Sequence, residues 1–361
     1  MDIAIVGLAS SGKTSLLRAL AAGHLPAHSN PSEPAVAVVK VPDERLDKLA
    51  ALVEARKTTY LELRLLDFPS LSAGKKGPPP QLLATLATAD MLVHVVRAFN
   101  DPAVAHPLES VDQDRDIAAV DLELALADLG IVERRIERLA SESRSTPAAQ
   151  RTAQDREMAL LNRIKEGLEE EKPIRNQGLT AEELALLSGY NLITSKPMLV
   201  VLNIDEAEAA NAAAIETEAR GRFGGPGTGV IAIAARAEAD VAELSPEDAA
   251  EFRRELGLPP EPATERLLQQ VVSLLGLVTF YTAGPQDTHA WAVTDGTPAV
   301  KAAGRIHSDI ERGFIRAEVI AYEDFVASGS HAEAKRRGHQ RLEGKTYPIR
   351  DGDVINVLFN V

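Results

Sequence analysis

The chain has 361 residues, 45% hydrophobic, 4% aromatic and 25% charged, with a formal net charge of -14 and no cysteine. Such a length holds two or three domains with full cores, the missing thiols exclude disulfides, thiolate metal sites and cysteine nucleophiles, and the acidic balance argues against a protein that coats nucleic acid over its whole surface. No apolar run approaches the ~18–20 residues a membrane helix needs, and the opening stretch lacks the basic flank and long apolar region of a signal peptide, so a cytoplasmic protein without a membrane partner is expected.

Residues 2–7, DIAIVG, are a short apolar run ending in glycine, and residues 13–23 have helical spacing closed by Gly23. This is strand, loop, helix. The loop, GLASSGKT from Gly7 to Thr14, satisfies G-x-x-x-x-G-K-[ST] in the context that motif requires. Its glycines let backbone N–H groups turn onto phosphates, and the helix N-terminus adds its dipole. Gly7, Ala9, Ser10, Ser11, Gly12, Lys13, Thr14 and Ser15 form the expected phosphate-binding set. Lys13 sets a cation against the β- and γ-oxygens, and the Thr14 hydroxyl is a ligand for Mg2+. Residues 60–66 alternate Leu61, Leu63 and Leu65 as a strand does and end at Asp67, which is expected to reach that metal through water. Residues 91–99, 197–203 and 229–235 read as further buried strands. Strands alternating with helical stretches imply a parallel sheet covered on both faces.

Between Asp121 and Ser188 the period changes. Leu122, Leu126, Leu129, Val132, Ile136 and Leu139 step by three and four, as do Met158, Leu161, Ile164 and Leu168. With the polar break SESRSTPAA between them, two long amphipathic helices in an antiparallel hairpin are predicted. The stretch 198–208, MLVVLNIDEAE, is a buried strand followed by Asn203-Ile204-Asp205-Glu206, a corner that in nucleotide-binding proteins reads the base; Asp205 is expected to be exposed. After a helix in ATERLLQQVVSLLGL, short strands punctuated by glycine turns begin at Val278 and mark a small separate α+β domain. RDGD, at residues 350–353, signals a tight hairpin. Lys335, Arg336, Arg337, Arg341 and Lys345 form a local basic cluster, the one feature suited to nucleic acid.

With these residues in hand, the chain resembles the YchF/Obg-like ATPase family of translation-associated P-loop proteins from end to end. The resemblance is most specific in VPDERLDKLA, HVVRAFNDPAVAH and DLELALADL, and in the C-terminal TFYTAGPQDTHAWAV, AAGRIHSDIERGFIRAEVI and EGKTYPIRDGDVINVLFNV. It implies an α/β P-loop NTPase domain of Ras-like GTPase type (residues 1–118 and 196–276), an inserted helical coiled coil (119–195), and a C-terminal α+β, ubiquitin-like (β-grasp) TGS domain (277–361). It also implies preference for ATP over GTP and contact with the ribosome or RNA.

GTPases of this class read guanine with Asn-Lys-x-Asp. Here Ile204 replaces the lysine and Glu206, one methylene longer, replaces the aspartate, so guanine loses its main anchor while Asn203 can face the adenine amino group. The Ala235 backbone is expected to touch the ring. The family threonine that closes over Mg2+ falls on or near Pro31, leaving Ser32 as a candidate metal hydroxyl. Asp-x-x-Gly has become DFPS, with Ser70 in the glycine's place, and the loop that follows is stiffened by three prolines. His106 occupies the position to which the family assigns a catalytic role. Two readings follow: a Mg2+-dependent monomeric ATPase switch, with GTP weaker and K+ a candidate cofactor, or a nucleotide-sensing adaptor that binds ATP or ADP without significant hydrolysis.

Overall fold

The structure is a computed structural model that describes residues 1–23, 34–71, 78–142 and 148–360, with 148–150 described by backbone alone. In chain order, β1 (Asp2–Val6), α1 (Lys13–Leu20) and β2 (Ala35–Lys40) precede α2 (Glu44–Leu52) and β3 (Thr58–Thr59). Then come β4 (Glu62–Asp67), α3 (Pro80–Leu86), β5 (Met91–Ala98), α4 (Gln113–Glu142), α5 (Ala148–Glu169) and α6 (Ala181–Leu187). β6 (Met198–Ile204), α7 (Ala212–Phe223), β7 (Thr228–Ile233), α8 (Ala235–Val241), α9 (Pro246–Glu255) and α10 (Ala263–Leu274) follow. The C-terminal part holds β8 (Leu277–Ala283), β9 (Thr288–Thr294), α11 (Ala299–Ile306), α12 (Ser308–Arg312), β10 (Phe314–Ala321), α13 (Tyr322–Ser328), α14 (His331–Arg336), β11 (Arg341–Glu343) and β12 (Asp353–Phe359). Among the described residues, no helix is long and apolar enough to cross a membrane.

Two units divide the chain: Met1–Val39 with Arg64–Leu267, and Lys40–Leu63 with Leu268–Val361. The first is built on a six-stranded sheet of order β2-β4-β1-β5-β6-β7. β1, β4, β5, β6 and β7 run parallel, with Val6 opposite His94 and Arg97 opposite Asn203. β6 is buried at every position, as expected of a central strand covered on both faces. This is the P-loop-type α/β sheet, and the parallel order sets the loops after β1, β4, β5 and β6 at one edge, where α/β sheets carry their sites.

The helical hairpin forms, but its apolar seam differs from the predicted one. α4 and α5 are antiparallel: Arg135 pairs with Glu157 (2.7 Å), Lys165 with Glu133 (2.9 Å), and Gln154 Nε2 donates to Leu139 O (2.9 Å). Ala125, Val132, Leu139, Leu161, Ile164 and Leu168 share one core. Leu122 and Leu126 are exposed instead, because α4 spends its first turns burying Ile117, Val120 and Leu124 against the sheet. Asp128 lies fully buried on this seam, accepting from Ile193 N (2.8 Å), Thr194 N (2.7 Å) and Thr194 Oγ1 (2.7 Å).

The second unit has its own six-stranded sheet, order β11-β10-β12-β8-β9-β3, with β12 parallel to β8 and β10 antiparallel to β12. Residues 40–63, assigned from the sequence to the nucleotide domain, belong here. Leu46 and Leu49 of α2 pack with Tyr281, Ile320, Phe325 and Val354. Tyr281 Oη donates to Asp43 Oδ2 (2.7 Å), and Arg45 Nη1 to Asp351 Oδ2 (2.6 Å). RDGD is a turn with Gly352 at φ 84°, but it does not join two strands: Tyr347–Arg350 is irregular, and Pro348 makes only an isolated bridge to Pro298. Pro348 has no N–H to donate to a ladder, which explains the missing strand.

Candidate nucleotide site

The loop between β1 and α1 is held by conformations that fix its sequence. Gly7 has φ 149° and Gly12 φ 96°; a Cβ on Gly7 would lie 2.4 Å from Val95 O, and one on Gly12 2.0 Å from Asn203 Nδ2. Ser10 also takes positive φ, 61°. Such turns let consecutive N–H groups converge on an anion. Lys13, the first residue of α1, is buried and donates from Nζ to Gly7 O (3.1 Å), Leu8 O (3.0 Å) and Ser70 Oγ (3.0 Å). Burial pushes its pKa down to about 8, against the opposing charge of Asp67.

A cavity of about 650 Å³ opens here, lined by Ser10 to Ser15 and Asp67 to Ser70. Thr14 and Asp67 both line it. Among the described residues, no group of three His, Cys, Asp or Glu is placed to hold a metal ion. A hard cation that takes one hydroxyl, one carboxylate and ligand oxygens needs none, so the donor set fits Mg2+. Ser32 lies outside the described residues.

A second cavity of about 760 Å³ adjoins the first, with Ser10, Gly12 and Ser15 lining both. Residues 203–206 form one wall, Phe99 to Asp101 with Val104 another, and Ala234, Arg236 and Ala237 a third. The residues of these walls differ in how they are held. Asn203 is buried and committed on both sides: Nδ2 donates to Ser11 O (2.9 Å) and Oδ1 accepts from Ala235 N (3.1 Å). It therefore ties the phosphate loop to α8, using one of its two N–H donors and one lone pair of its carbonyl. Ala235 is fully buried with its N–H spent on Asn203, and its neighbours line the cavity in its place. Asp205 is half-buried and caps the short helix after β6, accepting from Ala207 N (3.1 Å). The Ile204 side chain is buried, while Glu206 is exposed at the rim.

His106 does not reach either cavity. Its Nδ1 accepts from Leu108 N (3.1 Å), so Nε2 carries the proton and donates to Asp116 Oδ2 (2.8 Å), with both side chains buried. Arg115 also donates to Asp116, from Nη2 at 2.8 Å. In this arrangement His106 fastens the loop to the start of α4, and both of its ring nitrogens are engaged.

Other residues at the site went unassigned. Arg97, buried at the end of β5, donates to Phe99 O (3.2 Å), Asp101 O (3.1 Å) and Val104 O (2.9 Å), shaping the second cavity's wall. Arg18 lines that cavity and pairs with Glu243. A cation inside an otherwise apolar strand must find acceptors, so Arg97 was the available signal. The basic cluster is partly neutralised: Arg336 and Arg337 both bind Glu333 (2.6 and 2.7 Å), holding its carboxyl down at about 2, and Arg341 donates to Tyr347 Oη (3.0 Å). Lys335 and Lys345 are exposed.

The comparisons extend the resemblance. A family model, YchF-GTPase_C, described as a protein of unknown function (DUF933), matches residues 277–360. "Ribosome-binding ATPase YchF" of Bacillus subtilis is 40% identical, covering 99% of this chain and 98% of that protein. The protein of the same name from Haemophilus influenzae is 37% identical over the same shares. The solved "Structure of the Schizosaccharomyces pombe YchF GTPase" superposes with a TM-score of 0.85 at 25% identity, covering 99% of this chain and 97% of that one. Spanning nearly the whole length of such relatives and carrying their C-terminal domain, the chain belongs to the YchF family.

Proposed function

We propose that this protein binds nucleotide with Mg2+, hydrolyses ATP in preference to GTP, and acts as a switch on the ribosome. The observation that carries the reading is the convergence of Lys13, Thr14 and Asp67 on one cavity that adjoins a second bounded by residues 203–206. Relatives named ribosome-binding ATPase support the activity and the partner. Lys13 stabilises charge developing on the phosphoryl oxygens, while Thr14 directly and Asp67 through water would hold Mg2+. The ion, when bound, neutralises phosphate charge. Preference for ATP rests on Glu206: an exposed, longer carboxylate does not meet both ring-edge donors of guanine, and no lysine stands at Ile204. Partner contact is assigned to Lys335, Arg336, Arg337, Arg341 and Lys345.

A second reading, an adaptor that binds ATP or ADP without significant turnover, is favoured by His106 being spent on Asp116 and by Ser70 where relatives keep glycine. Phosphate release from ATP and GTP, with Mg2+ and K+ and with Lys13→Ala as the blank, separates the two. Release from ATP above the blank supports the ATPase. Binding of ATP with release equal to the blank supports the adaptor. A GTP preference in either case refutes the role given to Glu206. Ribosome binding that is unchanged by charge reversal at Arg336 and Arg337, across a salt series, removes the basic cluster from the interface.

A further inference from the structure

An ammonium group has three N–H donors. Those of Lys13 are all engaged, by Gly7 O, Leu8 O and Ser70 Oγ. Two of these acceptors are carbonyls of the loop that carries the lysine, and they aim the side chain along its own loop. Ser70 comes from a different segment, the one leaving β4. That segment is fixed to β1 and its loop on both sides of Ser70: Phe68 N donates to Ile5 O (3.1 Å), and Leu71 N to Gly7 O (3.1 Å). The hydroxyl is thus presented to Lys13 by a braced backbone. It is also the one acceptor of the three that leaves by a side-chain rotation, and its residue is exposed on the cavity side.

We propose that the Ser70 hydroxyl occupies on Lys13 the position a phosphate oxygen takes, so that nucleotide binding must expel it. The proposal rests on the nucleotide reading above. An oxygen entering the cavity can reach the buried ammonium by replacing Ser70 while both loop carbonyls stay in place. Replacing Leu8 O instead would strip that carbonyl of its lysine donor, and Gly7 O, which keeps Leu71 N, belongs to a backbone that cannot rotate aside. Burial of Lys13 favours direct exchange of one oxygen for another, because an ammonium shielded from water loses most when a donor is left empty. Ser70 is therefore a positioning residue with two effects. It lowers apparent affinity for phosphate, since the competent arrangement is only a fraction of the population. It also makes the segment after β4 respond to whether Lys13 holds a phosphate, through a hydroxyl where glycine would offer none.

The test titrates full-length wild type, Ser70→Ala, Ser70→Gly, Ser70→Thr and Lys13→Ala with Mg-ADP and Mg-ATP by calorimetry, with melting temperatures measured without nucleotide. Both hydroxyl-free variants should bind about three- to tenfold tighter than wild type, while Ser70→Thr, which keeps the hydroxyl, should stay within about twofold. A role confined to stability would move the melting temperature and not this pattern. Unchanged or weaker binding by both Ser70→Ala and Ser70→Gly overturns the proposal, as does a threonine variant as tight as alanine. If wild type binds no better than Lys13→Ala, the nucleotide reading itself fails and the Ser70 role falls with it, whatever the Ser70 variants do.

Discussion

Asn203 joins two loops with one amide, and that geometry makes it more sensitive than a base-reading residue would be. Asn203→Asp removes the donor to Ser11 O and sets a carboxylate against that carbonyl, while Ala235 N keeps its acceptor. The expected loss is about 1–3 kcal/mol of stability, with weakened binding of ATP and GTP alike; loss of adenine selectivity with intact diphosphate binding would show the amide reads the base after all. His94 makes a second residue-scale prediction. It sits buried opposite Val6 with Nδ1 lacking a hydrogen-bond partner, and burial pushes its pKa down to about 4. Above the ordinary value of 6.5 both folded and unfolded forms are neutral and nothing changes. Between 6.5 and 4 the unfolded chain takes up a proton that the fold refuses, so stability falls as pH falls, by about 3 kcal/mol at the lower limit. His94→Leu should flatten this acid limb in urea unfolding series; an unaltered limb would falsify the assignment.

At the scale of elements, Asp128 decides how the hairpin is rooted. Its carboxylate accepts two backbone N–H groups and a hydroxyl from residues 193–194, all buried. Asp128→Ala leaves those donors without acceptors and should cost about 2–4 kcal/mol, with amide exchange accelerated at Ile193 and Thr194; retained protection there would place the anchorage elsewhere. The same residue explains which part of the hairpin could be read from the sequence. The three-and-four spacing foretold two helices, and they exist. The seam's residues did not follow, because a hydrophobic stripe says nothing of which helix turns face the sheet and which face the partner helix, and a charged residue inside a helix reads as a wet face. Leu122 and Leu126 were expected inside and are exposed, while Asp128 is fully buried. The phosphate loop was legible because its glycines are demanded locally. The hydrogen bonds of Asn203, Ala235 and His106 were not legible, because their partners lie on other elements and only the fold brings them together.

On the scale of the molecule, the second unit draws residues from both ends of the sequence. β3 is a sheet edge beside β9, and α2 covers Tyr281, Phe325 and Val354. A fragment of residues 277–361 would therefore expose that apolar face. It should bind a hydrophobic dye and give poorly dispersed amide resonances, whereas adding residues 40–63 through a linker should restore dispersion; a well-folded fragment without them would show that α2 is dispensable. The same arrangement sets a timetable during synthesis. Arg45 and Asp351 stand 306 positions apart in the chain. At ~5–20 residues per second, translation separates their appearance by roughly 15–60 s. For most of that interval Leu46 and Leu49 have emerged while Tyr281, Ile320, Phe325 and Val354, which bury them, have not. The nascent chain therefore carries an early sticky segment through most of its own manufacture, and completion of this unit is postponed until the final strand leaves the exit tunnel.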